Sequence, residues 1–270
     1  MSIIAISGKM GSGKDTVASI IRYLTSECSL ENTTHYRTYL EFTTNGKDDN
    51  YFQGWYNSDW EIKRFAGKLK YIASLLTGIP ESKFEDQEFK KTFLGEEWDT
   101  TRHYHENGIP GIFQMTVREF LQKLGTDAIR DNIHTNTWVN ALFADYVGDL
   151  ELVPNPNGNN AFKVENVGEF PNWLITDCRF PNEAESIKQR QGIIIRVNRP
   201  KKKVEAENHL IEKILNETKD FGLVEHPSET ALDDYNFDYV INNNGSIDDL
   251  IVKVKFILTL ENIIPQKQAA

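Results

Sequence analysis

Hydrophobic and polar positions alternate in a way that separates the chain into strands and helices from the first residue onward. Ser2-Ile3-Ile4-Ala5-Ile6 is a short apolar run, which suits a buried strand better than a helix with one wet face. Val17, Ile20, Ile21 and Leu24 then recur at helical spacing. A helix is expected over Ile62–Thr77, with Phe65, Leu69, Ile72, Ala73 and Leu76 on one side and Gly78-Ile79-Pro80 as its stop. Thr116 followed by Glu119 reads as a capping box opening a helix whose stripe is Val117, Phe120, Leu121 and Leu124, with Gly125 ending it. A further helical segment starts at Thr126, and Trp138, Val139, Leu142, Phe143 and Tyr146 carry the pattern on.

Trp173-Leu174-Ile175-Thr176 is a second buried strand, Pro181 opens a helix that Gly192 closes, and Ile193–Val197 is a third strand. Strand, helix and strand with short joints make the βαβ unit of a parallel sheet. Phe237–Ile241 is the last strand; Asn243-Asn244-Gly245 turns, Ser246 caps, and Leu250, Val254, Ile257 and Leu258 mark a closing helix. Three stretches are expected as loops, about 30–60, 96–105 and 152–171, and 83–91 alternates charge without strong periodicity. The tail from Gln266 is expected to fray.

Between the first strand and the first helix stands Gly8-Lys9-Met10-Gly11-Ser12-Gly13-Lys14, with the spacing G-x-x-x-x-G-K. Strand, glycine loop and helix in that order are what a phosphate-binding loop requires. Glycines let the backbone curl so that its N–H groups converge on an anion, the helix N-terminus adds partial positive charge, and Lys14 supplies a full one. Gly8, Met10, Gly11, Ser12, Gly13, Lys14, Asp15 and Thr16 are therefore the expected ATP-binding residues. In the usual loop a Ser or Thr directly follows the lysine and holds Mg²⁺, whereas here Asp15 intervenes before Thr16. Thr16 then serves either a phosphate or the metal, directly or through water. Asp177 follows the second strand, where P-loop proteins keep the carboxylate that organises Mg²⁺.

Charge and composition narrow the class. A net charge of −10 argues against a protein held on nucleic acid by a diffuse basic surface, yet leaves room for a local cationic pocket. Two cysteines, Cys28 and Cys178, are too few for a disulfide framework or a cysteine zinc site. No run has the build of a signal peptide or a membrane span, so a cytoplasmic location is the default expectation. With 270 residues the chain is expected to be one domain.

Several segments together resemble the bacteriophage and prophage deoxynucleoside monophosphate kinases. They are Ser7-Gly8…Gly13-Lys14-Asp15-Thr16, Phe65-Ala66…Leu69-Lys70, Arg118-Glu119-Phe120-Leu121-Gln122…Leu124-Gly125-Thr126-Asp127 and Trp138-Val139. They continue with Thr176-Asp177-Cys178-Arg179-Phe180-Pro181-Asn182-Glu183, Arg199-Pro200 and His226-Pro227-Ser228-Glu229, in the family's order along nearly the whole chain. Lys68 stands where that family often has proline, and 30–60 and 152–171 look like additions.

The resemblance implies an α/β P-loop fold similar to nucleoside monophosphate kinases, with a parallel sheet core and helices on both faces. It implies transfer of the ATP γ-phosphoryl group to a (deoxy)nucleoside monophosphate, with ATP and Mg²⁺ as cofactors and small nucleotides as substrates, without stable nucleic-acid or membrane binding; oligomeric state stays open. It implies catalytic roles for Lys14, Asp177 and Arg179, with Arg179 gripping the acceptor phosphate. Acceptor binding extends on the same basis to Phe65, Lys70, Arg118, Arg130, Trp138, His226 and Glu229, within a helical segment of about 61–146 and a lid of about 199–229. Other readings remain open from the residues alone. They are a dephospho-coenzyme A or other small-molecule kinase, a partner-dependent ATPase, and a nucleotide-binding module without catalysis.

Overall fold

The computed structural model describes residues 2–26, 39, 43, 58–103, 110–148, 150–155, 162–166, 168–200 and 227–265. These residues form two compact units, one of Met1–Lys63 with Tyr146–Ala270 and one of Arg64–Asp145.

The first unit is built on a five-stranded sheet: β1 (Ile3–Ser7), β2 (Trp60–Lys63), β7 (Asn172–Ile175), β8 (Ile193–Asn198) and β9 (Tyr239–Asn242). The spatial order is β2-β7-β1-β8-β9, and every pairing is parallel. All five residues of β1 are buried, as expected of a central parallel strand covered on both faces. The chain leaves β1 toward β7 and β2 on one side and later takes up β8 and β9 on the other. In such sheets the crevice at the carboxyl end of the central strand, where the order reverses, is the natural ligand site.

Two helices, α1 (Lys14–Leu24) and α7 (Ile247–Leu260), pack together and share a core with the sheet, Val17, Ile20, Ile21, Leu250, Val254 and Leu258 meeting Ile4, Ile6, Leu174 and Ile195. α7 starts on Ser246, whose hydroxyl accepts the Asp249 N–H at 3.1 Å, the expected cap. Pro181 opens α5 (Pro181–Lys188), which packs on β1 and β8 through the fully buried Ala184 and Ile187.

The second unit holds α2 (Gly67–Thr77), the hairpin of β3 (Thr100–His103) and β4 (Pro110–Phe113), α3 (Val117–Gln122) and α4 (Thr137–Phe143). Ala73, Phe84, Val117 and Phe120 make its core, and Trp98 stacks edge-on against Phe120 at 5.0 Å between ring centres. Thr116 and Glu119 form the expected capping box, the Thr116 N–H donating to Glu119 at 2.8 Å.

Four expectations are corrected. Ile62 belongs to a strand, because the register Ile62↔Leu174 makes it part of the sheet edge, and α2 begins only at Gly67. Gly125 does not end a helix: the chain runs on from α3 as a π-helix over Lys123–Arg130. A Cβ on Gly125 would lie 2.8 Å from the Leu69 side chain, and the Trp138 indole N–H donates to the Gly125 carbonyl at 2.8 Å. The glycine thus serves close packing rather than a left-handed cap.

The stretch 152–171 contains the antiparallel pair β5 (Leu150–Pro154) and β6 (Phe162–Asn166), whose alternation in Leu-Glu-Leu-Val and Phe-Lys-Val-Glu is a period-two signal. The stretch 96–105 likewise holds a short 3₁₀ turn, Glu96–Trp98, and β3. Most of 30–60, the 201–226 part of the expected lid, Cys28, His226 and the tail from Gln266 lie outside the described residues.

Candidate functional site: the glycine loop and its cations

The loop Gly8–Gly13 joins β1 to α1 at the carboxyl end of the central strand. Its curl needs two residues without a Cβ. Gly8 has φ 152°, and a Cβ there would stand 2.4 Å from the Val197 carbonyl oxygen and 2.6 Å from Ser12 Oγ. Gly13 has φ 100°, and its Cβ would stand 2.4 Å from Asn243 Nδ2. That same amide donates to the Ser12 carbonyl at 2.9 Å, so the turn after β9 pins the loop from 231 residues away in sequence. Ser12 Oγ is buried and has no protein partner, a polar atom aimed into a glycine cradle.

Lys14 reaches back along the loop and donates to the Gly8 and Lys9 carbonyls at 2.6 and 2.9 Å. Burial, then the nearby Arg179 guanidinium, hold its ammonium below the ordinary lysine value, while Glu229 and Asp15 pull the other way. Asp15 is exposed and Thr16 half-buried in the first turn of α1. Asp177 is half-buried just past β7; counting on from the pair Ala5↔Ile175, it falls level with Ser7.

Arg179 follows two residues later, and its backbone is held by Glu183, to which the sequence alone assigned no role. Glu183, 2% exposed, accepts the backbone N–H groups of Arg179 and Phe180 at 2.8 and 3.1 Å, fixing the turn into α5. The Arg179 side chain donates to Glu229 Oε1 at 2.6 Å, and the second oxygen of that carboxylate accepts the Met10 N–H at 3.2 Å.

Arg196 is a further cation that sequence reasoning missed. It stands opposite Ser7 in the register of β1 and β8 and donates to Ser7 Oγ at 3.2 Å, to Asn198 at 3.3 Å and to Asp233 at 2.9 Å. Asp233 also pairs with Lys9 at 3.4 Å, and the Arg196 guanidinium lies 5.3 Å from the centre of the Phe237 ring. A charged residue inside Ile-Ile-Ile-Arg-Val was the available signal. Ser7, Gly8, Cys178, Arg179, Arg196, Ser228, Glu229 and Leu232 enclose a small cleft beside the loop. The arrangement gathers backbone N–H donors and three cations at one strand end, which is chemistry suited to a polyphosphate.

The expected acceptor residues of the second unit show the following surroundings. Lys70 is buried and its ammonium meets Glu85 at 2.5 Å. Burial alone would raise the Glu85 carboxyl, but hydrogen bonding and charge from Lys70, with Arg64, hold it below its usual value. Arg118 donates to Gln87 at 3.2 Å. Arg130 is buried at the end of the π-helix. Phe65 packs against Phe143 at 6.2 Å between ring centres, and Trp138 is buried with its N–H on Gly125.

A family model for deoxynucleotide monophosphate kinases matches residues 76–254, about two thirds of the chain. The chain belongs to the deoxynucleotide monophosphate kinase family. Its activity is therefore phosphoryl transfer to a deoxynucleoside monophosphate, on a P-loop kinase-like α/β fold, and its substrates are nucleotides. The small-molecule kinase, ATPase and binding-module alternatives are not favoured. Asp177, Arg179, Arg196 and Glu229 of this kinase lie inside the matched stretch, whereas the loop Gly8–Gly13 precedes it. Comparison with curated proteins finds no match. Among the described residues no helix of the kinase is long and apolar enough to cross a membrane, and none of their His, Cys, Asp and Glu side chains cluster as a metal site.

Proposed function

We propose that this kinase uses ATP with Mg²⁺ as its phosphoryl donor and that the loop Gly8–Thr16 binds the donor's phosphates. One observation supports this above others. The Gly8–Gly13 cradle, too tight for a Cβ at either end, opens α1 beside Lys14, Arg179 and Arg196. A phosphate bound there takes loop N–H groups, the orphan Ser12 hydroxyl and the Lys14 ammonium. The donor set around it, Thr16 and Asp177, consists of the hard oxygens that Mg²⁺ takes alongside phosphate. The ion would neutralise charge on the outer phosphates.

In this reading the protein does little covalent chemistry. The acceptor phosphate is already an ionised nucleophile, so no strong general base is needed. Lys14 leaves the Gly8 and Lys9 carbonyls to meet the donor, and Arg179 meets the acceptor phosphate, so that positive charge faces the oxygens where negative charge develops. Glu183 keeps the Arg179 backbone in place while its side chain exchanges partners. Acceptor recognition is assigned to Phe65, Lys70, Arg118, Arg130 and Trp138. The kinase acts in the cytoplasm on small nucleotides and not on nucleic acid.

A coupled ADP-release assay with Mg-ATP tests this, run without acceptor and then with each deoxynucleoside and ribonucleoside monophosphate. Release that depends on one or two deoxynucleotides, and is lost without Mg²⁺, is the expected result. Release from a different triphosphate but not ATP would overturn the donor assignment.

A further inference from the structure

Glu229 sits in the short helix α6 (Pro227–Thr230), and its two carboxylate oxygens face different partners. Oε2 accepts the Met10 backbone N–H at 3.2 Å and Oε1 accepts the Arg179 guanidinium at 2.6 Å. The segment is anchored, because Leu232, three residues on, is 2% exposed, and the Glu229 side chain itself is only 27% exposed. Both donors are groups that a phosphate would take: an N–H on the exposed rim of the phosphate loop, and a guanidinium whose fork matches phosphate oxygens. A carboxylate makes the same demand as a phosphate, since it carries negative charge and only accepts hydrogen bonds. Glu229 also acts electrostatically on Lys14, the third group such a ligand requires.

We propose that Glu229 is a built-in competitor for phosphate. Its carboxylate spans the mouth of the loop from Met10 to Arg179, and a polyphosphate must displace it before Arg179 can engage a substrate. The inference rests on reading Gly8–Thr16 as the phosphate loop. It accounts for a physical problem that the site otherwise poses: Lys14, Arg179 and Arg196 repel one another, and Glu229 offsets that repulsion until substrate phosphates replace it. It also sets a threshold. A ligand bringing one weak negative charge does not win both donors, whereas a polyphosphate brings enough charge to take them. A competitor that holds the site closed for a fraction of the time weakens apparent affinity by that fraction, so removing it tightens binding without any new contact.

The test measures inorganic tripolyphosphate binding by calorimetry and its effect on the melting temperature, using full-length wild type, Glu229→Gln, Glu229→Ala and Lys14→Ala. The expected result for both Glu229 variants is a lower melting temperature without ligand and a tripolyphosphate affinity about three- to fivefold tighter, the scale of a half-exposed ion pair. Their ATP KM falls in parallel, a change that a purely structural loss would not produce. Lys14→Ala loses the binding. Unchanged or weaker tripolyphosphate binding in the Glu229 variants, with Lys14→Ala defective, overturns the competitor alone. A selective rise in acceptor KM in those variants also overturns it, because Glu229 then serves the acceptor. Binding by Lys14→Ala equal to wild type overturns the phosphate-loop reading and the competitor with it.

Discussion

Glu183 holds Arg179 by its backbone: a carboxylate only 2% exposed accepts the Arg179 N–H at 2.8 Å and leaves the guanidinium to work elsewhere. The two residues are four apart in a turn that Pro181 stiffens, so the contact is local while its effect is on the site. Replacing Glu183 by Ala strands two N–H groups and costs about 1–3 kcal/mol of stability. Transfer should fall with it, and Glu183→Gln, which still offers an acceptor oxygen, should recover part of both. Chemical denaturation together with steady-state kinetics checks this. A Glu183→Ala variant with full stability and full kcat would remove the positioning role.

Gly8→Ala should harm the protein more than Gly13→Ala. The first places a Cβ 2.4 Å from the Val197 backbone carbonyl, which β8 holds in the sheet; the second meets the Asn243 side chain, which can turn aside. Both carry positive φ and therefore backbone strain of about 1 kcal/mol or more. Gly11→Ala has open space around it and suffers the backbone strain alone. Melting temperatures should rank Gly11→Ala above Gly13→Ala above Gly8→Ala.

Lys14 should set the alkaline limb of activity if, as proposed, its charged form binds phosphate. Burial and the Arg179 charge hold its pKa below the ordinary 10.5. As pH rises the ammonium is lost earlier than in a free lysine, so kcat/KM for ATP should fall at a pH below 10.5. Arg179→Gln removes a charge that lowers the Lys14 value and should move the limb to higher pH. Glu229→Gln removes one that raises it and should move the limb down. A limb unchanged in both variants would assign it to another group. Lys14→Ala should reduce kcat by about a hundredfold or more, the scale of losing one transition-state donor.

Trp138 separates packing from recognition. Its indole is buried and donates to the Gly125 carbonyl, holding the π-turn. Trp138→Phe should cost about 1 kcal/mol through that hydrogen bond. Comparing acceptor KM with stability decides its second role: a raised KM supports the acceptor assignment, whereas an unchanged KM confines Trp138 to the core.

Cys178 should be inert. Its thiol is 1% exposed, and burial, followed by the charges of Glu183 and Asp177, pushes its pKa well above the ordinary thiol range. Mass spectrometry after treatment with an alkylating reagent should find the Cys178 peptide unmodified in the folded protein and modified after denaturation. Labelling in the native state would contradict this burial.

Short-range features were legible from residues alone because spacing encodes them. Glycines at Gly8 and Gly13 before Lys14, Thr116 with Glu119, Ser246 ahead of α7, and Pro181 opening α5 each act within one turn of chain. Four of the five strands could be named for the same reason; the exception is β2, whose Ile62 fits a helical stripe until β7 claims it. Pairing between distant segments overrode local pattern there, and close packing of Gly125 on Leu69 did so again in the π-helix.

What no spacing encodes is which strand ends become neighbours. Parallel register sets Arg196 beside Ser7, 189 residues away, and the turns after α6 and β9 bring Asp233 to Arg196 and Asn243 to the loop. Glu229 meets Met10 across 219 residues by the same logic. The glycine loop was a property of the sequence, because its backbone curl depends on glycines a few residues apart. The charges that surround it belong to the sheet order, because only the tertiary fold lines up the carboxyl ends of strands that are remote along the chain.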